Sequence, residues 1–356
     1  MTPSLWADIA VFPYEPPLVT VIVLSLFLLF MGACVGSFLN VVIYRVPAGL
    51  SIVKPRSRCP RCLTPILGRD NVPVIGWLVL RGRCRFCRTW IPARYPLVEA
   101  TFGLAFLLLC WGEAIVPGYT LPIPFGEIEE YPLFGIAGYH FALVCGLGAA
   151  ALMTYDGGVV PAGFWRVILA IGMLPPLVWP ELRPIPFRPD AELYGRLVAG
   201  TADGAMGALV GALLGVAAWP VAVIGARARS GHLNSVAALA AVGAFLGWQA
   251  VLAVAGVVAA LTLLQSSLRG IGFVSRFPWL GFVAITTFGF LLGWRWFVAH
   301  SLVDKTRWLG SKAPLLLIPA GIAGTFALAL AAGKLHRPIS RSTPANTLST
   351  PPAATH

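Results

Sequence analysis

Long runs of hydrophobic residues, separated by short polar segments, dominate this chain of 356 residues. A helix needs about 20 apolar residues to cross a bilayer, and nine runs approach or exceed that length. They lie near residues 18–44, 97–116, 133–155, 163–180, 200–225, 235–248, 249–267, 279–298 and 313–333. The sixth and seventh runs meet at Gly247-Trp248-Gln249, which favours a tight helical hairpin. The pattern predicts an all-α, polytopic membrane bundle of about eight or nine transmembrane helices.

The composition agrees with a membrane protein. The chain is 58% hydrophobic and 11% charged, with a mean hydropathy of +0.81, values too apolar for a water-soluble globule of this size. The formal net charge of +12 would suggest a nucleic-acid partner in a soluble protein. Here the basic residues are concentrated in loops, where they set orientation and meet anionic lipid. We therefore expect membrane lipids, and no nucleic acid, as partners. No internal repeat is evident.

Loop charges predict the orientation. Residues 45–96 carry eleven Lys and Arg residues against the single acid Asp70, so this loop is expected in the cytoplasm. The next loop, 117–132, has three Glu and no basic residue, and is expected outside. The alternation predicts a multi-pass protein of the inner (plasma) membrane with its N-terminus outside and its C-terminal tail cytoplasmic. One loop disagrees, because 299–312 should lie outside yet is basic.

Two Cys-x-x-Cys pairs lie in the basic loop. Cys59 and Cys62 form the first pair and Cys84 and Cys87 the second, with 21 residues between the pairs. Four thiolates from two such pairs are typical of a tetrahedral structural zinc site. Disulfides or unused thiols are the alternative, but thiols in the reducing cytoplasm stay available to metal. The other cysteines lie in apolar runs and are predicted to be small buried hydrophobic residues: Cys34, Cys110 and Cys145.

Three stretches carry a family resemblance. They are residues 36–47 (GSFLNVVIYRVP), the whole zinc loop over 56–99, and residues 239–249 (LAAVGAFLGWQ). Together they resemble the type IV prepilin leader peptidases, membrane enzymes that trim prepilins and type II secretion pseudopilins. The resemblance covers roughly residues 25–295 and is most specific in the N-terminal third.

The hydrophobic runs, the composition and the resemblance together predict a division of the chain into six parts, of which the last two lie outside the resemblance. The parts are an N-terminal segment (1–17), a first transmembrane helix (18–44), a cytoplasmic zinc-binding loop matching the family's N-terminal domain (45–96), a membrane peptidase-like domain (97–298), an extra C-terminal transmembrane helix (299–335) and a disordered tail (336–356). The tail is rich in Ser, Thr and Pro, a composition that does not form a packed core.

Polar and small residues near the predicted membrane surface have physical interpretations of their own. Gly36 and Ser37 allow two helices to approach closely, and Asn40 in an apolar run needs an interhelical hydrogen-bond partner. Glu99 is expected at the start of the second span. There it either complements the positive end of a helix or contacts an incoming substrate.

The catalytic aspartates of the family are not at their usual positions. The resemblance implies a first aspartate seven residues before a proline, and that position relative to Pro161 holds Thr154. Asp156 is the nearest acid and the only candidate for a catalytic role. The second aspartate of the family aligns with Ser235. Asp203 is expected at the outer end of the fifth span, on the wrong side of the membrane.

Two substitutes for the missing pair are conceivable. Glu99 and Asp156 could pair if the second and third spans bring their cytoplasmic ends together. His232 and Ser235 resemble a base and a nucleophile, but at this spacing Ser235 is better explained as a helix N-cap and His232 as a solvated loop residue.

The sequence thus leaves three functional hypotheses. The first is a prepilin-peptidase-like protein that binds or processes prepilin or pseudopilin leader segments, with peptidase activity lost or impaired, either alone or as the partner of an active paralogue. The second is an active aspartic peptidase with displaced acids, which would use S-adenosylmethionine if the family's N-methyltransferase activity is retained. The third is a zinc-knuckle membrane scaffold or transporter unrelated to peptidases.

Overall fold

The computed structural model describes residues 17–112, 131–179, 182–183, 193–222, 231–268, 277–299, 323–325 and 327. In these residues regular structure is helical, apart from two isolated β-bridges in the zinc loop. The α-helices are α1 (Leu18–Arg45), α2 (Ile75–Val79), α3 (Arg94–Cys110), α4 (Tyr131–Tyr155), α5 (Ala162–Met173), α6 (Leu193–Ala222), α7 (Gly231–Leu246), α8 (Trp248–Ser267) and α9 (Trp279–Ala299). The predicted all-α fold is confirmed.

Four helices are long and apolar enough to span a membrane. They lie over Leu18–Arg45, Gly135–Tyr155, Gly200–Trp219 and Trp248–Ser267. Three shorter apolar helices accompany them: Ala162–Leu177, Leu233–Leu246 and Trp279–Gly293. The described residues therefore contain fewer full-length spans than the nine predicted. Most of the ninth predicted run, near 313–333, lies outside the described residues.

Helices α1 and α3 pack against each other through glycine. A Cβ added to Gly36 of α1 would lie 2.9 Å from the Cα of Glu99 on α3. A Cβ on Gly103 of α3 would lie 2.8 Å from the backbone oxygen of Leu29 on α1. Small residues at such contacts let two membrane helices approach at backbone distance. The close approach expected at Gly36 is confirmed. It holds together α1 and α3, the two helices that the cysteine-containing loop connects.

A second glycine-mediated contact joins α6 and α7. Gly207, Gly211 and Gly215 recur every four residues, so they lie on one face of α6. A Cβ on Gly215 would lie 2.5 Å from the Cα of Val236, and a Cβ on Gly211 would overlap the backbone oxygen of Leu239. The two helices run antiparallel with no room for side chains between them.

The chain reverses between α7 and α8 at a single residue. Gly247 has φ +87°, a conformation that glycine adopts without a steric penalty. Beyond this turn α8 returns beside α7, since Leu239 and Ala255 line the same small apolar cavity. Helix α7 is the most enclosed helix of the bundle, and Phe245 and Leu246 at its end are completely buried.

Candidate metal centre and membrane-face site

The four cysteines of the loop lie together in space. Their sulfur atoms all fall within 4.8 Å of one another. The closest contacts join the two pairs: Cys59 Sγ is 3.7 Å from Cys87 Sγ, and Cys62 Sγ is 4.0 Å from Cys84 Sγ. All four are free thiols, so the disulfide alternative is not realised. Zinc–sulfur bonds of about 2.3 Å in a tetrahedron place sulfurs at such separations. The cluster can bind a metal such as zinc.

The two Cys-x-x-Cys turns are copies of one local structure. The Cys59 N–H donates to the Thr64 oxygen at 3.0 Å, and the Cys84 N–H donates to the Thr89 oxygen at 2.9 Å. Each turn also closes with one antiparallel bridge, Arg58 to Pro65 and Arg83 to Trp90. Every position in the second turn lies 25 residues after its counterpart in the first.

The expectation of no internal repeat is therefore wrong at this scale. Residues 57–66 read SRCPRCLTPI and residues 82–91 read GRCRFCRTWI. The shared R-C-x-x-C-x-T-x-I pattern was visible in the sequence, but it is too short to stand out in a search for repeats of domain size. Leu63 and Arg88 occupy the same place in the two turns, with φ of +58° and +56°.

Hydrogen bonds to sulfur prepare the cluster for a cation. The hydroxyl and the backbone N–H of Thr64 lower the pKa of the Cys62 thiol to about 6. Backbone N–H groups of Cys87 and Phe86 lower the pKa of Cys84. At Cys87 the Thr89 N–H acts in the same direction, but burial and the neighbouring thiols outweigh it and raise that pKa to about 11. The cluster thus resists holding four negative charges unless a cation compensates them.

The segment between the turns is bound tightly to the second turn. The Arg85 guanidinium donates to both carboxylate oxygens of Asp70 at 2.6 and 2.7 Å. This bidentate pair lowers the pKa of Asp70, chiefly through the hydrogen bonds from Arg85. The Trp77 indole covers Gly82 and donates from Nε1 to the Ile91 oxygen at 2.9 Å. These contacts give the loop a fixed shape in addition to any bound metal.

Two polar contacts position the loop on the membrane helices. The Asn40 side chain on α1 donates to the Tyr95 oxygen on α3 at 3.2 Å, which supplies the interhelical partner expected for Asn40. The Val74 N–H donates to Oε2 of Glu99 at 2.7 Å. Since α3 begins at Arg94, Glu99 lies beyond its first turn, and the expectation that Glu99 complements the helix end is wrong. Its carboxylate anchors the loop instead.

Asp156 lies at the end of α4, exposed to solvent. Its carboxylate forms a salt bridge of 2.5 Å with Arg94, the first residue of α3. The start of α3 and the end of α4 meet at this bridge, as a pairing of Asp156 with Glu99 would require; in the structure Asp156 binds Arg94, and Glu99 accepts from Val74. Thr154 lies two residues earlier, in the last turn of α4. Its hydroxyl donates to the backbone oxygens of Ala150 and Ala151.

Ser235 is completely buried, with 0% of its surface exposed. Its hydroxyl donates to the Gly215 oxygen of α6 at 2.9 Å. Helix α7 begins at Gly231, so His232 belongs to the helix and Ser235 lies inside it. The interpretations of Ser235 as the N-cap and of His232 as a loop residue are wrong. Next to Ser235, Asn234 accepts a hydrogen bond from the Trp165 indole of α5 at 3.0 Å, which closes this end of the bundle.

Sequence reasoning missed a polar cluster at the opposite end of α6. Arg183 is buried and donates to the backbone oxygens of Ala244 and Gly200. Asp203, 2% exposed, lies against Gly247 at the α7–α8 turn. Asp203 precedes Gly215, the partner of Ser235, by 12 residues, about 18 Å along α6, so Asp203 and Ser235 lie far apart along that helix. An acid within an apolar run, such as Asp203, indicates a buried basic partner. Arg183 was not recognised as that partner because it lies between two predicted spans.

Residues 30–112 match the family model described as the bacterial peptidase A24 N-terminal domain. A prepilin leader peptidase/N-methyltransferase of Myxococcus xanthus is 46% identical over 118 residues, 31% of this chain and 35% of that protein. A prepilin leader peptidase/N-methyltransferase of Klebsiella pneumoniae is 33% identical over 231 residues, 63% of this chain and 86% of that protein.

A third relative is a type 4 prepilin-like proteins leader peptide-processing enzyme of Escherichia coli. It is 30% identical over 236 residues, 61% of this chain and 74% of that protein. The search of solved structures found no match. The family model thus matches within the first third of the chain, and the relatives of 30% and 33% identity each align with about three fifths of it.

Proposed function

This chain belongs to the type IV prepilin leader peptidase family, and on that premise we propose that it binds or processes prepilin-like leader segments with its peptidase activity lost or impaired. The observation that carries the proposal is the identity and the buried position of Ser235. It stands where the family resemblance implies an aspartate, and its hydroxyl is buried and bound to the Gly215 oxygen.

The chemistry explains why one carboxylate does not suffice. In aspartic proteolysis one carboxylate activates water, while the other, protonated, polarises the scissile carbonyl and donates to the leaving nitrogen. A serine hydroxyl at position 235 has no carboxylate charge and cannot share a proton with a partner acid. Thr154, at the position of the family's first aspartate, also lacks a carboxylate. Asp156 retains a carboxylate, which is exposed and paired with Arg94.

The second candidate is an active peptidase with displaced acids. Asp156 favours it, because it is a solvent-accessible carboxylate two residues from Thr154 at the end of α4. Such an enzyme would need a second acid near Asp156. Helix α3, whose first residue Arg94 binds Asp156, contains one acid, Glu99. S-adenosylmethionine would be a cosubstrate only if the N-methyltransferase activity named for the relatives is retained. A scaffold with no leader-peptide partner is the third candidate.

A structural zinc ion is part of the proposal. Cys59, Cys62, Cys84 and Cys87 supply four soft ligands, a donor set that suits zinc and leaves no open position for catalysis. When bound, the ion would cross-link the two halves of the loop. This cross-link would matter because the loop has little apolar core. The protein contributes backbone N–H···S hydrogen bonds from Phe86 and Cys87 to the Cys84 sulfur.

The proposal also includes location and domain roles. We place the chain in the inner membrane with residues 45–96 as a cytoplasmic zinc-binding loop and 97–298 as the peptidase-like domain. Leader segments would then meet the membrane face formed by the ends of α1, α3 and α4. An impermeant thiol reagent should label a single cysteine introduced at Leu67 in inverted vesicles, and one at Ile123 only in right-side-out vesicles. Equal labelling at both sites would contradict this orientation.

Cleavage of a prepilin substrate in membrane vesicles tests the function. The unmodified chain should give no detectable cleavage, with the Klebsiella pneumoniae relative as the active control. Thr154→Asp together with Ser235→Asp is the variant that has the family's acid pattern, and it should recover activity that neither single substitution gives, because paired residues act as a unit. Robust cleavage by the unmodified chain, abolished by Asp156→Asn, would establish the displaced-acid enzyme instead.

Binding separates the first hypothesis from the scaffold hypothesis. A photoreactive prepilin leader peptide should cross-link to the unmodified chain in vesicles, and an excess of unlabelled leader should compete. A peptide with a scrambled leader is the control. Absence of competition together with absence of cleavage would leave only the scaffold.

A further inference from the structure

The short helix α2 exposes an apolar face inside an otherwise basic loop. Ile75, Leu78 and Val79 are 54%, 59% and 70% exposed. Their i, i+3, i+4 spacing places them on one side of the helix. The other side is packed, because Gly76 lies against the Asp70 backbone and the Trp77 indole covers Gly82. Three large aliphatic side chains thus lie together on the surface, each more than half exposed.

The position of α2 is set by α3, which packs on α1, one of the four helices long and apolar enough to span a membrane. Val74 immediately precedes α2, and its N–H is bound to the Glu99 carboxylate at 2.7 Å. Glu99 lies five residues after the start of α3 at Arg94, about 7.5 Å along the helix. Glu99 also packs against Gly36 of α1, nine residues before α1 ends at Arg45, so Val74 is held beside this pair of helices. The end of a helix that spans a bilayer lies where the hydrocarbon region meets the headgroups, so a segment held beside such an end is close to that boundary.

The charge around this face is positive and not neutralised. Arg81 and Arg83 follow α2 directly, and both are exposed. Asp70 is the only acid of the loop 45–96, and it is already paired with Arg85. Among the described residues, neither Arg81 nor Arg83 forms a salt bridge. Apolar side chains flanked by arginines, held at the membrane surface, match the chemistry of an interface containing anionic lipid.

We propose that α2 is an interfacial anchor. Ile75, Leu78 and Val79 insert into the boundary of the bilayer that the chain itself spans, and Arg81 and Arg83 bind the headgroups of anionic phospholipids. The anchor would hold the metal-binding turns against the membrane, beside the ends of α1 and α3. The proposal does not depend on peptidase activity or on bound zinc.

Photo-cross-linking from inside the helix tests the anchor directly. The full-length chain, with p-benzoylphenylalanine replacing Leu78, is reconstituted into phosphatidylcholine vesicles containing phosphatidylglycerol and irradiated. Mass spectrometry should find phospholipid adducts at position 78, several-fold more than with the same group replacing Leu67. Leu67 is an exposed leucine of the same loop outside α2. Equal adduct yields at the two positions, or no lipid adduct at 78, would overturn the proposal.

Other occupants of the face have their own signatures. Adducts from position 78 to a second copy of the chain or to another protein, in place of lipid, would show a protein interface and overturn the anchor. The charge component is tested with Arg81→Gln and Arg83→Gln together. This variant should lower the share of phosphatidylglycerol among the lipid adducts toward its share in the vesicle. Arg56→Gln with Arg69→Gln, at two exposed arginines outside this face, is the matched control, and an equal loss there would overturn the assignment of Arg81 and Arg83.

Discussion

The backbone N–H of Val74 donates to the carboxylate of Glu99 across 2.7 Å, which joins the metal-binding loop to helix α3. Val74 has φ +60°, an unusual conformation for a β-branched residue. The hydrogen bond to Glu99 is one of the contacts that hold the chain in this conformation. The carboxylate of Glu99 thus has a positioning role, and α2 and the second cysteine turn follow directly from the anchored residue.

Replacing Glu99 should loosen the loop without unfolding the bundle. Glu99→Ala removes an acceptor whose hydrogen bond is worth about 1.5 kcal/mol, so the Val74 amide should exchange hydrogen faster and the loop should be cut more readily by protease. Hydrogen-exchange mass spectrometry of the 70–80 region measures this. Glu99→Gln keeps an acceptor oxygen and should show a smaller change. Unchanged exchange in Glu99→Ala would mean that other contacts fix Val74.

Metal content tests the cysteine cluster. The purified chain should contain close to one zinc per molecule, and Cys84→Ser should reduce both the zinc content and the yield of folded protein, because metal binding contributes to folding of the loop. Cys145→Ser, at a cysteine of α4 outside the cluster, is the control and should keep the metal. Protein without zinc, or with the four thiols oxidised in pairs, would remove the site.

The Asp70–Arg85 pair predicts a pH dependence. The pKa of Asp70 is lowered in the folded loop, so ionised Asp70 stabilises the fold above its unfolded pKa of about 4. This contribution is lost as the pH falls through the lowered folded value. Asp70→Asn should therefore make the loop more sensitive to protease at neutral pH, and the difference from the unmodified chain should shrink below pH about 4. A difference that persists in acid would show that the charge of Asp70 is not its cause.

Glycine substitutions test the α6–α7 contact. A Cβ on Gly211 would overlap the backbone oxygen of Leu239, so Gly211→Ala must push the helices apart. We expect a loss on the order of 2 kcal/mol, seen as a lower thermal midpoint in detergent. Gly256→Ala in α8 is the matched control, because an added Cβ there meets no atom within 4 Å. Equal midpoints for the two variants would contradict the close packing.

The sequence alone determined the features that depend on local pattern. The lengths of the hydrophobic runs predicted the helices, since a helix that is buried in a bundle or spans a bilayer requires a continuous apolar segment. The Cys-x-x-Cys spacing predicted the metal cluster, because each pair fixes two ligands within one turn of chain. Asn40 and Gly36 were interpreted correctly because a polar side chain or a missing Cβ in an apolar helix has few physical explanations.

Only the tertiary structure decided the partners of the polar residues. Ser235 binds Gly215, Asp156 binds Arg94, and Glu99 binds Val74, over separations of 20, 62 and 25 residues. Each pairing depends on how the helices rotate and on which ends meet, and these in turn depend on glycine contacts such as those of Gly207, Gly211 and Gly215 along α6. A hydrophobic pattern without strong amphipathicity does not specify that rotation. The sequence therefore singled out these polar residues, and packing decided which partner each of them binds.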